Sequence, residues 1–267
     1  MNKITVKLED IKAQTQKALV NHGASKSTAE SVAEAVKVAE AENNKVCGLY
    51  YLESYCNQLK SNRVDGSVSP EVKKPSTSSV YVDAKNGFAQ PAFAAGFELA
   101  ISTARENGIC LFTIAHSHTC TSMGFFTSQI AKKGLLGIGA TVAPACVSPP
   151  GGNKPLLGTN PISMSVPSDN NDVAFQFDQS TSAIAIGKIR MAASNGKSIP
   201  EGWAVDKDGK PTTDPNKALE GSILSSGGYK GFGFGLMAEI LASALTSSLS
   251  SVNAPPRKTT DGEPHNL

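Results

Sequence analysis

The stretch GGNKPLLGTNP at residues 151–161 leaves the backbone few options. An apolar, strand-like segment, Leu135 to Val142, leads into it through Pro144 and the Pro149-Pro150 pair. Beyond it, Ile162-Ser163-Met164-Ser165-Val166 alternates with the period of a half-buried strand. Pro150, Pro155 and Pro161 fix φ around the connection, while its glycines let backbone come close to a bound group. Thr159 and Asn160 add short polar side chains. A rigid polar loop between two strands suits a small polar ligand. The same residues would serve equally as a plain stiff connection.

In chain order, Leu8 to His22 predicts a helix with Leu8, Ile11, Ala18 and Leu19 on one face, stopped by Gly23. Ser27-Thr28-Ala29-Glu30 reads as a capping box that starts a second helix with Val32, Ala33, Val36 and Ala39 inward. A third carries Leu52, Tyr55, Cys56 and Leu59. Val80 to Asp83 reads as a strand, Ala92 to Asn107 as a helix with Pro91 at its start, and Ile109 to Ala115 as a buried strand. Ser122 is placed to cap a short helix running to Gly134. Leu135 to Val142, Ile162 to Val166 and Val173 to Asp178 are further strands, and Asp208-Gly209 signals a hairpin. A last helix follows Gly227, with Leu236, Met237, Ile240, Leu241, Ala244 and Leu245 in one apolar stripe. Strands alternate with helices early and stand almost alone later, which predicts α+β. The boundaries fall at 1–75 for a helical N-terminal part, 76–246 for a binding and catalytic domain, and 247–267 for a polar C-terminal segment.

The charge balance narrows the partners. A net charge of +2 with no basic stripe gives no reason to expect nucleic acid. No segment reaches the ~18–20 apolar residues of a membrane span, and MNKITVKLEDIKAQ has no signal core, so no membrane partner and a cytoplasmic location are expected. Five cysteines, at 47, 56, 110, 120 and 146, contain no CxxC and read as reduced thiols.

Chemistry-bearing motifs are few. No GxGxxG follows a strand, since Gly231-Phe232-Gly233-Phe234-Gly235 lacks the spacing, and no GxxxxGK[ST] occurs. A Rossmann unit and a P-loop are therefore not expected. His116-Ser117-His118 at a strand end lacks a third ligand at metal-binding spacing, so no metal site is expected. It suits polar loop chemistry or proton shuttling. Cys47 reads as a buried thiol by default, or as a nucleophile if a base lies near. Asp178-Gln179-Ser180-Thr181-Ser182 crowds five hydrogen-bonding side chains into one loop, where a helix N-cap needs only one. Gly227 to Gly231 with Lys230 ahead of a helix combines backbone N–H groups, the positive end of a dipole and a cation, a setting for phosphate or carboxylate or simply a flexible connection.

Taken together, VDAKNGFAQPA at 82–92, the strand and polar loop at 109–124, KGLLGIGATVAPA at 133–145, GGNKPLLGTNP at 151–161, FDQSTSAIAIGKI at 177–189, GWAVDKDGKPTTDP at 202–215 and GGYKGFGFGLMAEILASALT at 227–246 resemble the malate/L-lactate dehydrogenase family. This non-Rossmann group includes ureidoglycolate and sulfolactate dehydrogenases and the piperideine/pyrroline-2-carboxylate reductases. The resemblance implies a helical N-terminal part, a predominantly antiparallel NAD(P)-binding sheet with flanking helices, and a homodimer. It implies hydride transfer between NAD or NADP and a small-molecule substrate, a 2-hydroxy/2-oxo acid or a cyclic imino acid, and the TSAIA run leans toward the cyclic-imine branch.

The family's proton-donating Ser-His-Gly falls on Val46-Cys47-Gly48, its carboxylate-binding arginine on Tyr51, and an orienting aspartate of the imine reductases on Lys188. Thr159 keeps the substrate-contacting threonine. The polar loop, with a histidine-phenylalanine pair in the family, implies cofactor contacts from His118, Thr119, Cys120, Thr121, Ser122 and Met123. Asp178, Gln179 and Ser180 form a cofactor-contacting turn, and Lys230 joins them on its own reading. Relatives continue beyond DGEPHNL, which implies a chain that stops short of their full fold. The alternative expectation is a catalytically impaired homologue that binds cofactor or a partner without turnover.

Overall fold

The computed structural model describes residues 5–118, 120–256 and 260. Its first helices are α1 (Leu8–Asn21) and α2 (Lys26–Ala41). α2 starts ahead of the expected capping box. Ser25, in extended backbone, is the N-cap, and its Oγ accepts the Thr28 N–H at 3.2 Å. Ser27 and Glu30 lie inside the helix, where Glu30 faces Lys12 instead. Val32, Ala33, Val36 and Ala39 point inward as the periodicity requires. With Leu19 of α1 and Tyr55 and Leu59 of α3 (Leu52–Lys60), Val32 and Val36 form an N-terminal core that Val64 and Phe88 close. Each large side chain buried there contributes roughly 1.5–3 kcal/mol of transfer free energy.

β1 (Glu71–Ser76) and β2 (Ser79–Asp83) pair antiparallel, and β3 (Leu111–Ala115) pairs parallel to β2. The crossover is α4 (Ala89–Asn107). Pro91 is the third residue of α4, still in the turn where a missing N–H costs nothing. The run from Ile109 was expected to be buried, yet Ile109 and Leu111 are exposed. β3 is the edge of a three-stranded sheet, so its outer flank has no neighbouring strand.

After α5 (Gly124–Ala131), strands β4 (Gly137–Ala140), β5 (Ile162–Pro167) and β6 (Val173–Gln179) form a second, antiparallel sheet. Its packing is inverted relative to a simple amphipathic sheet. Ser163 and Ser165, both buried, turn toward α5, where each hydroxyl meets Thr127 Oγ1 at 2.8 Å. The alternate residues Ile138, Met164 and Phe177, in register across the three strands, turn away, and Ile138 is 72% exposed.

The remainder comprises α6 (Ile186–Ser194), β7 (Ala204–Val205), α7 (Pro215–Glu220), β8 (Ser222–Ile223) and α8 (Tyr229–Glu239), which continues into one π-type turn, Ile240–Ala244. Asp208-Gly209 does sit in a tight turn, closed by the Gly209 N–H on Asp206 O at 2.9 Å, but the strand partner of β7 is β8. Val147, Leu157, Ile189, Ala204 and Ile223 make the core of this region. The apolar stripe of α8 does not face that core. Gly231, Gly235 and Ala238 are the buried side, whereas Leu236, Met237, Ile240, Leu241 and Leu245 are exposed. A Cβ on Gly231 would collide with the Ser226 carbonyl, so the helix approaches the body through its small residues and keeps the bulky ones outside. The folded chain is thus α+β and non-Rossmann, with the strands among the described residues divided among three sheets. Among the described residues no helix is long and apolar enough to cross a membrane.

Candidate active site

Three loops come together around Thr159. The base of the 151–161 connection is pinned by the Cys146 and Val147 N–H groups on Leu157 O, both at 2.8 Å. Thr159 is half-buried, and its carbonyl accepts the Thr181 N–H at 2.9 Å and the Thr181 hydroxyl at 3.1 Å. The Thr181 carbonyl in turn accepts the Ser226 N–H at 2.9 Å, and Ala183 N–H reaches Leu224 O at 2.8 Å. Thr159, Ser180 and the Gly227-to-Lys230 turn therefore lie along one continuous run of bonded backbone.

That run ends at the start of α8. Gly227 and Gly228 take φ of +64° and +66°, conformations that suit glycine, and deliver the chain into the helix. Helix geometry leaves the N–H groups of Tyr229, Lys230 and Gly231 without intrahelical acceptors. Tyr229 and Lys230 are exposed while Gly231 is turned to the body, so the first amides of the helix, its dipole and a cation meet at the solvent side of the turn.

Cys47 belongs to the first of two short 3-10 turns, Lys45–Cys47 and Leu49–Tyr51. Glu40 sets their junction, its Oε1 accepting the Leu49 N–H at 2.8 Å, and any side chain at Gly48 would run into that carboxylate. A Cβ on Gly187 would lie 3.8 Å from Val46 Cγ1, so the Cys47 turn abuts the first turn of α6, which carries Lys188. Cys47 is half-buried rather than the fully buried thiol expected by default, because its turn sits on the surface end of α2. None of the five cysteines is in a disulfide. Lys188 is exposed, and Tyr51 is half-buried with its ring stacked on Tyr55 at a centroid distance of 6.1 Å.

The polar loop after β3 divides. His118 is fully buried with its ring edge-on to Tyr55 and Phe88, so its imidazole belongs to the N-terminal core. His116 points elsewhere, its Nδ1 3.0 Å from Asp83 Oδ1. Thr119 lies outside the described residues. Cys120 Sγ sits 3.5 Å from Met123 Sδ, Thr121 takes φ +61°, and Ser122 and Met123 are buried. Ser122 does not cap α5. Its hydroxyl donates to Asp178 Oδ2 at 3.0 Å, and the same oxygen accepts the Gly124 N–H at 2.9 Å.

Asp178 therefore caps a helix far from it in sequence, a role that no local pattern reveals. Nearby, partial loss of water and then the Asp178 charge push the Glu42 carboxyl above its ordinary range, against the pull of Lys132. Of the other residues in that turn, Thr181 and Ser182 spend their hydroxyls on backbone, Ser180 bonds Ser182 O at 3.3 Å, and Gln179 is exposed. A surface cavity of about 560 Å³, lined by His22, Lys60, Asn62 and Asp65 among others, shares no residue with this cluster.

A sequence profile described as malate/L-lactate dehydrogenase matches residues 6–267. The chain belongs to the malate/L-lactate dehydrogenase family. It is 38% identical over 244 residues to a Delta(1)-pyrroline-2-carboxylate/Delta(1)-piperideine-2-carboxylate reductase of Pseudomonas putida, a match covering 91% of this chain and 71% of that one. It is 37% identical over 243 residues to the (2R)-3-sulfolactate dehydrogenase (NADP(+)) of Chromohalobacter salexigens, covering 91% and 72%. Among solved structures, delta1-piperideine-2-carboxylate reductase from Pseudomonas syringae pvar. tomato superposes with a TM-score of 0.91 at 34% identity, covering 99% of this chain and 81% of that one. The membership places the chain in a family of NAD(P)-dependent oxidoreductases. The α8 N-terminus, with its amide donors and Lys230, has the donor set that a dinucleotide's pyrophosphate requires.

Proposed function

We propose that this chain is an NAD(P)-dependent reductase of a small cyclic imino acid of the piperideine- or pyrroline-2-carboxylate class. The observation that carries the reading is the bonded run from Thr159 through Thr181 to the Lys230 turn, which joins a substrate-sized polar loop to an anion site. The likeness to cyclic-imine reductases over more than nine-tenths of the chain supports the substrate class. When bound, the nicotinamide supplies the hydride.

The chain's own residues then have three tasks. Lys230 and the first-turn amides of α8 hold the pyrophosphate. The Thr159 hydroxyl and the Tyr51 phenol hold the substrate carboxylate, a weaker pairing than the bidentate grip of an arginine. Cys47, with Lys188 on the abutting turn, delivers the proton to the ring nitrogen. A thiol carries one S–H and so has a proton to give. The functional unit is a homodimer, a reading supported by the uncovered apolar side of α8.

A second reading is binding without turnover. The side chains of Val46, Cys47 and Tyr51 favour it, since they stand where the family resemblance sets its proton donor and its carboxylate-binding arginine. Two measurements separate the readings. One is NADH or NADPH absorbance decay with piperideine-2-carboxylate, pyrroline-2-carboxylate, pyruvate and oxaloacetate, and the other is cofactor fluorescence on binding. Decay with a cyclic imine supports the reductase, binding without decay the second reading, and neither sinks both.

A further inference from the structure

Asn160 is fully buried and takes φ +32°, in the left-handed region that asparagine enters more readily than other non-glycine residues and that its surroundings here enforce. Three distant segments do so. Its Nδ2 donates to Glu239 Oε2 at 2.8 Å and to Gly235 O at 3.1 Å. Its Oδ1 accepts the Ala143 N–H at 3.1 Å and lies 3.3 Å from the Ser251 Oγ. Glu239, near the end of α8, also accepts the Ser251 N–H at 2.6 Å and the Ser251 hydroxyl. Ser251 O completes the circuit by accepting the Ala145 N–H at 2.8 Å. The segment after α8 is thus fastened to both ends of the 143–160 connection through one carboxylate.

We infer that Glu239 is a positioning residue, which with Ser251 locks Asn160 in its left-handed conformation and so fixes where Thr159 presents its hydroxyl. This inference rests on the proposed role of Thr159 in holding the substrate carboxylate. The adjoining Thr159 carbonyl is already clamped by Thr181, so the peptide between residues 159 and 160 is held from both sides. Three donors converge on the Glu239 carboxylate, and only a carboxylate can accept them all. A glutamine there presents an NH₂ group to at least one of them.

The test compares Glu239→Gln and Ser251→Ala with the unmodified protein. Both variants should raise KM for the cyclic imino acid, Glu239→Gln by about tenfold or more and Ser251→Ala by less. The NADPH dissociation constant, read by fluorescence, should stay within about twofold, because the α8 N-terminus is untouched. A folded Glu239→Gln protein with unchanged KM, or with substrate and cofactor weakened equally, overturns the inference. If Glu239→Gln does not fold, Ser251→Ala decides by the same criteria.

Hydrogen exchange at the Ala143 and Thr181 amides gives a readout independent of turnover. Faster exchange in either variant is expected, and unchanged exchange overturns the latch. Should the unmodified protein turn over no substrate while exchange responds as expected, the latch stands and only the proposed function falls.

Discussion

Asp178, near the end of β6, caps the N-terminus of α5 by accepting the Gly124 N–H at 2.9 Å. The bond ties a strand to a helix 54 residues earlier, and the Ser122 hydroxyl on the same oxygen brings in the polar loop. The two stretches of chain that the family resemblance assigns to cofactor are thereby one structural unit.

Removing that carboxylate should loosen both. Asp178→Ala is expected to cost about 1–2 kcal/mol, the worth of a lost helix cap plus a charge-assisted hydrogen bond. Asp178→Asn, which keeps an acceptor oxygen, should cost less. Urea denaturation of the two variants checks the order, and equal costs would show that the cap is not what the carboxylate contributes.

Asp83 should make stability depend on acid. Partial burial opposes its ionisation, but the Lys85 backbone N–H at 2.8 Å, then the His116 hydrogen bond and charge, outweigh burial and hold the carboxyl below its ordinary range. A depressed folded-state pKa contributes stability that is present above the unfolded value of about 3.9 and is lost as pH falls through the folded one. Asp83→Asn should therefore lower stability by about 1 kcal/mol at neutral pH. The difference should vanish once the pH lies below the folded-state pKa of Asp83, and a pH-independent gap between the two proteins' melting curves would contradict this origin.

Restoring the family's side chains at the proton-donor and carboxylate positions should speed the reaction. Cys47→His together with Tyr51→Arg is expected to raise kcat/KM, the acid–base contribution alone being worth about 10²–10⁴-fold. Steady-state kinetics on the cyclic imines reads the change. No gain in a folded double variant would place the proton donor elsewhere.

The outward side of α8 should be an interface between copies. Ile240→Glu puts a charge in the middle of the exposed apolar side, beside Met237 and Leu241, and should shift the protein from dimer toward monomers of 27.7 kDa. Sedimentation equilibrium would show this directly. A single species of the same mass in both proteins would remove α8 from the interface.

What was legible in the chain follows from how far each cause reaches. The N-terminal helices, the β2–α4–β3 crossover and the strands on either side of the 151–161 connection were readable because period and turn chemistry are local. The start of α2 falls at Ser25 rather than Ser27 because both serines are chemically able to cap, and backbone geometry alone chooses. Ser122 looks like the cap of α5 from sequence because the true cap, Asp178, comes from the distant strand β6. The α8 stripe is legible as apolar but not as outward-facing, since only its packing through Gly231, Gly235 and Ala238 reveals which side meets the body. The Asn160–Glu239–Ser251 circuit left no sequence signal, because its members lie 79 and 12 residues apart and each is unremarkable alone.

The central claim is that a nicotinamide dinucleotide and a cyclic imino acid meet beside Thr159 and Lys230. Stopped-flow absorbance with NADPH, then NADH, against piperideine-2-carboxylate tests it on the full chain and on Lys230→Ala. The account predicts cofactor oxidation that requires the imine, with the variant needing at least about tenfold more cofactor to reach half-maximal rate. Cofactor that stays reduced under every condition, or a variant that saturates at the same concentration as the unmodified protein, would contradict it.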